Sequence, residues 1–166
     1  MPKARTAESN VATQIDHSTE IIEGLKKAYN MELETVLNYV ASSINLDGIR
    51  AKEVKESLEE DIGEEMGHAK KLGKRIHILG GVLAGSQGLR FEQKSLQPKE
   101  DTTDVVTVIK GVIEAEDAAC VQYQKMIEMC DGVDWVTQEL CIELLGDEED
   151  HRREFQGFLK EYERAK

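Results

Sequence analysis

Gly146-Asp147-Glu148-Glu149-Asp150-His151, near the C-terminal end of the chain, holds the spacing on which the fold turns. Glu148 and His151 are three residues apart, so on a helix they share one face, one turn from each other. A single Glu-x-x-His pair arises readily by chance in a long acidic helix. The chain carries a second, Glu65-Met66-Gly67-His68, and each pair has a lone glutamate well upstream. Glu116 precedes Glu148 by 32 positions and Glu32 precedes Glu65 by 33.

Apolar residues at helical spacing surround all four positions. A first helix, capped by Ser18 or Thr19 and running to about Asn45, carries the stripe Ile21, Leu25, Ala28, Glu32, Val36, Tyr39 and Ser43. A second, from about Arg50 to Leu79, carries Val54, Leu58, Ile62, Glu65, His68 or Ala69, Leu72, Ile76 and Leu79, and Gly80-Gly81 stops it. A third, capped by Thr103 or Asp104 and ending near Cys130, carries Val105, Ile109, Val112, Glu116, Ala119, Tyr123 and Ile127. The fourth, from about Asp134 to Tyr162, carries Thr137, Cys141, Leu144, Glu148, His151, Phe155 and Phe158. Each core-facing stripe is thus interrupted by an acid. Glu114 competes with Glu116 but falls about 200° around the helix, off the stripe.

The pattern predicts an all-α, antiparallel four-helix bundle over residues 18–166, preceded by a loose polar tail over 1–17. Residues 80–103 form a connection of 24 residues, longer than an ordinary helix–helix turn. Extended, it can reach roughly 80 Å against about 42 Å for the second helix. It can cross the whole bundle, so the third helix can lie parallel to the second. The shared Glu-to-Tyr separation of seven (Glu32 to Tyr39, Glu116 to Tyr123) suggests two similar helix pairs facing each other.

Composition agrees with one soluble domain: 166 residues, 40% hydrophobic and 33% charged. The formal charge of −12 argues against nucleic acid as a partner and suits a protein that attracts cations. No apolar run approaches the roughly 20 residues that cross a bilayer, and residues 1–10 lack a signal-peptide core, so no membrane is expected. Cys120, Cys130 and Cys141 are odd in number and form no Cys-x-x-Cys, for which a reducing cytoplasm is the simplest setting. His17, His77 and Trp135 read as incidental, Trp135 as a packing residue.

Four inward glutamates and two inward histidines, with no inward Lys or Arg on the stripes, would be prohibitively costly to bury unpaired. Two divalent cations would match four carboxylates in charge, and mixed oxygen and imidazole donors suit iron or manganese.

One Glu from each of two helices with Glu-x-x-His from each of the other two resembles the ligand set of ferritin-like di-iron bundles. Met31-Glu32-Leu33-Glu34-Thr35-Val36-Leu37-Asn38-Tyr39 resembles the first-helix motif of the bacterioferritins. Glu64-Glu65-Met66-Gly67-His68-Ala69 and Gly146 to His151 resemble their second- and fourth-helix motifs, within a similarity that covers roughly Glu20 to Tyr162. The resemblance implies a ferritin-like fold, a homo-oligomer built from dimers, and two iron ions per subunit. Glu32 and Glu116 would be terminal ligands, Glu65 and Glu148 bridges, and His68 and His151 one cap each. Tyr39 matches a tyrosine beside the ferroxidase centre, an electron donor. The implied activity is oxidation of Fe(II) by O2 or H2O2 and storage of the ferric product in an oligomeric shell.

Met66 matches the methionine that ligates haem b across a two-fold interface in that family. On the residues alone it is equally an exposed interface methionine. Only 15 residues follow His151, too few for the short fifth helix of 24-subunit cages, which leaves open whether a cage forms and whether it would hold 12 or 24 subunits. Thioferritin-like relatives pair cysteines near the site, for which Cys120 and Cys141 are the candidates. A non-cage peroxide reductase like the rubrerythrins is the rival activity, and a structural bundle with a vestigial site the rival to any activity.

Overall fold

The computed structural model describes residues 7–164. Four helices make up the chain: α1 Ala7–Asn45, α2 Lys52–Ile78, α3 Val105–Cys130 and α4 Trp135–Arg164. A short 3-10 turn, Ser86–Gly88, interrupts the α2–α3 crossover, and no strand occurs among the described residues. The fold is an all-α four-helix bundle. Over residues 7–17, where a tail was expected, α1 continues instead. No proline or glycine between Lys3 and Glu23 stops it, and the cap signal at Ser18 and Thr19 is overridden within one continuous helix. Residues 1–6 lie outside the described residues.

The other ends fall close to their signals. Leu79 closes α2, and Gly80 follows at φ +85°, with Gly80 N–H donating to His77 O and Gly81 N–H to Ile76 O. That double return needs a left-handed residue, which glycine supplies without strain. Asp104 caps α3 by accepting from Thr107 N–H at 3.1 Å. Asp134 accepts from Thr137 N–H at 3.1 Å at the start of α4 and takes both oxygens to Arg75 of α2 at 2.8 Å. Trp135, expected to pack, is 76% exposed, because α4 opens with that side chain pointing outward past the Asp134 cap.

α1 packs chiefly on α2 and α3 on α4, and the two hairpins close through α1–α3 and α2–α4. Asp47 N–H donates to Thr102 O at 2.8 Å, tying the α1–α2 turn to the end of the crossover. α2 and α3 therefore start at the same end of the bundle and run parallel.

Two contacts hold the crossover in place. Glu34, buried on a face of α1 other than that of Glu32, accepts from Glu92 N–H at 2.8 Å and Gln93 N–H at 2.7 Å. At Gly111 the crossover passes so close to α3 that a Cβ there would lie 2.7 Å from Ser95 O. Glu34→Ala would leave two part-buried N–H groups without acceptors, so we expect a loss of about 2 kcal/mol in denaturant unfolding and faster amide exchange over residues 90–97. Unchanged exchange there would show that the crossover is held elsewhere.

The core has two apolar halves. One gathers Tyr39, Leu58, Ile109, Val112 and Phe155 with their neighbours. The other gathers Leu25, Leu72, Ile76, Tyr123, Met126 and Leu144 with theirs. Between them each helix turns its acid inward, so a charged layer crosses the middle of the bundle.

Candidate metal centre

Glu32, Glu65, His68, Glu116, Glu148 and His151 all meet in that layer, and all are buried. Burial this complete follows from phase: each acid occupies a stripe position whose neighbours one turn away are core residues. Glu114 is exposed on α3, so Glu116 is the third-helix member.

The six residues form two overlapping groups. Glu32, Glu65, His68 and Glu148 offer one donor atom each within 4.8 Å of one another, and so do Glu65, Glu116, Glu148 and His151. Glu65 and Glu148 belong to both. His68 Nδ1 lies 3.0 Å from Glu148 Oε1 and 3.4 Å from Glu65 Oε2. His151 Nδ1 lies 3.3 Å from Glu65 Oε1. The two imidazoles stack across the site with ring centroids 6.2 Å apart.

Each histidine uses its other nitrogen on the opposite motif. His68 Nε2 is 3.1 Å from Asp147, the residue before Glu148, and His151 Nε2 is 3.1 Å from Glu64, the residue before Glu65. Such acceptors orient the two rings and leave Nδ1 on the inner side, where it can serve as a ligand atom once its proton is displaced. Tyr39 hydroxyl donates to Glu116 and Tyr123 hydroxyl to Glu32. Sequence reasoning nominated Tyr39 alone and assigned no role to Glu64 or Asp147. The repeat at Tyr123 and the acid before each Glu-x-x-His were the signals for them. Asp61, also buried, was missed because it is one more acid in an acidic stretch.

Electrostatics mark the layer as incomplete. Burial, reinforced by Glu65 and Glu148, pushes Glu32 and Glu116 well above the usual carboxylate range. Burial takes Glu148 up to about 8 and Asp61 to about 7. Burial opposes charge on His151 as well, but Glu65 outweighs it and raises the imidazole to about 10. Glu65 goes the other way: burial would raise it, yet the close approach of Glu32, His151 and His68 holds it low. Both oxygens of Glu65, Glu148 Oε2 and His151 Nδ1 remain buried without hydrogen-bond partners. Buried polar atoms are almost always satisfied. Four unsatisfied donor atoms brought together within the two clusters fit cations well: two divalent ions would satisfy them and balance the carboxylates.

The cysteines do not pair at the site. All three are free and buried. Cys120 lies one turn past Glu116, whereas Cys141 sits with Cys130 and Asp134 at the far end of the α3–α4 hairpin. Burial raises Cys120 to about 11 and Cys141 to about 12, so neither is a ready thiolate. Met66 is half-buried in a groove of about 390 Å³ lined by Tyr29, Leu33, Ala69 and Leu83, facing away from the charged layer.

The ferritin-like domain family matches residues 22–165. A DNA protection during starvation protein of Pyrococcus furiosus is 27% identical over 144 residues, 84% of this chain and 77% of that protein. A bacterioferritin of Desulfovibrio desulfuricans is 28% identical over 138 residues, 82% of this chain and 72% of that one. Among solved structures, a dodecameric thioferritin described as the bacterioferritin-related protein of Bacteroides fragilis superposes with a TM-score of 0.84 at 24% identity, over 96% of both chains.

Proposed function

The chain belongs to the ferritin-like domain family, and on that premise we propose that it is a ferroxidase that stores iron in a homo-oligomeric shell. The observation that carries this reading is the pair of overlapping donor groups sharing Glu65 and Glu148. Glu65 and Glu148, common to both groups, would hold two metal ions jointly, with Glu32 and His68 completing one position and Glu116 and His151 the other. Two Fe(II) ions so held would be the substrate, each giving up one electron so that two pass together to a single molecule of H2O2 or O2. Tyr39 and Tyr123 hold the terminal carboxylates by donating to them, and Tyr39 is the electron donor of this reading. The acids Glu64 and Asp147 keep both imidazoles aimed inward.

Assembly has its own support. Leu33, Leu37, Val40 and Ile44 form one apolar stripe on the outside of α1, the last three exposed, beside the Met66 groove. A second copy would bury it, and the relative from Bacteroides fragilis is described as dodecameric. A haem at Met66 would draw its second ligand from that copy, so the proposal for this chain stops at the di-metal site. No helix among the described residues is long and apolar enough to cross a membrane, which fits the cytoplasmic setting proposed with this function.

Size-exclusion chromatography with iron analysis tests storage. We expect a species well above dimer mass that retains ferric iron beyond two ions per chain after aerobic loading. A dimer that turns over peroxide and keeps no core would instead support the rubrerythrin-like reading.

A further inference from the structure

The two halves of the metal centre repeat each other. Glu32 pairs with Glu116, Tyr39 with Tyr123, Glu64 with Asp147, Glu65 with Glu148, and His68 with His151. Among the inward acids the pairing fails at Asp61. Four residues before Glu65 stands Asp61; four residues before Glu148 stands Leu144. Both are buried. Leu144 belongs to the apolar core, whereas Asp61 Oδ1 lies 3.8 Å from His151 Nε2. Its Oδ2 is buried without a hydrogen-bond partner, as is Ser57 Oγ one turn earlier.

Resting on the di-metal reading, we propose that Asp61 makes the two metal positions unequal, acting as a positioning residue that strengthens His151 and favours the cation on its side. An imidazole that donates its outer N–H to a carboxylate is a better ligand through its inner nitrogen. His68 has one such acceptor, Asp147, whose side chain is 41% exposed and therefore screened. His151 has Glu64, 61% exposed, and behind it Asp61, which solvent barely reaches. A buried negative group acts at low dielectric, so its field reaches the His151-side cation with little loss. No buried acid replaces it on the His68 side: Leu144 carries no charge, and Glu143 is exposed and paired with Lys71. The position bounded by Glu65, Glu116, Glu148 and His151 fills first.

Anomalous X-ray scattering on protein loaded anaerobically with one equivalent of Co(II) per chain reads this directly. In the wild type the His151-side position should be occupied at least about tenfold more than the His68-side position, the scale on which outer acceptors change metal affinity. In Asp61→Asn, nearly the same shape without the charge, the ratio should fall towards one, and Asp61→Leu, which copies the other half, should do the same. Asp147→Asn should widen it, which keeps the test decisive if an Asp61 variant folds poorly. Equal filling in the wild type, a preference for the His68 side, or a ratio that none of the three substitutions moves would overturn the proposal. Cobalt at neither position would instead overturn the di-metal reading beneath it.

Discussion

Glu65→Ala should remove both metal positions at once, whereas His151→Ala should remove one. Glu65 contributes an oxygen to each donor group, and His151 contributes to a single group. Titrated with Fe(II) without oxygen, the wild type should bind two ions per chain, His151→Ala one and Glu65→Ala none in the tight-binding range. On admitting air, the initial oxidation rate of Glu65→Ala should fall by more than about 100-fold, since outer acceptors alone alter affinity by about 10–100-fold. His151→Ala should fall nearly as far, because the two-electron step needs both ions. Stoichiometry and rate that survive both substitutions would show that iron binds elsewhere. A Glu34→Ala control, which touches only the crossover, should keep the stoichiometry.

Metal loading should also raise thermal stability strongly, and by more as pH rises. A ligand at 100 times its dissociation constant adds about 2.7 kcal/mol per site, so two sites add about 5 kcal/mol. For a domain of this size that is a rise of about 10–20 °C. The pH dependence follows from who holds the protons. In the metal-free fold Glu148 is raised to about 8 by burial, and His151 to about 10 as Glu65 outweighs burial. A group with a raised folded value stabilises the fold fully below its unfolded value and loses that contribution as pH rises through the folded one. Metal-free protein should therefore lose stability through Glu148 between its usual 4.5 and about 8, and through His151 between 6.5 and about 10. Cations replace these protons, and the competition weakens as pH rises. Scanning calorimetry with and without Co(II) should show a larger metal-induced shift at pH 8 than at pH 6, with protons released on binding. A shift that is flat or shrinks over that range would contradict the proton assignment.

Much of this was legible because a helix converts spacing into direction. Apolar residues at three- and four-residue intervals fixed which face of each helix is buried, and Glu32, Glu65, His68, Glu116, Glu148 and His151 stood out as charge in that phase. The 24-residue connection allowed the parallel α2–α3 arrangement by its reach, and the tie between Asp47 and Thr102 decided it. The start of α1 was misplaced because Ser18 and Thr19 are good caps locally, while an unbroken helix-compatible stretch extends before them. Trp135 was misread because hydrophobicity does not tell a core-facing residue from one left outside.

The sequence by itself determined that there are four helices, the face each one buries and the six Glu and His residues that interrupt those faces. Only the tertiary structure decided which residue answers which across the helices. Glu64 meets His151, Asp147 meets His68, Tyr123 meets Glu32, Glu34 holds the crossover, and Asp61 stands without a counterpart. Those pairings depend on the rotation and axial offset of one helix against another, and no spacing within a single helix records either.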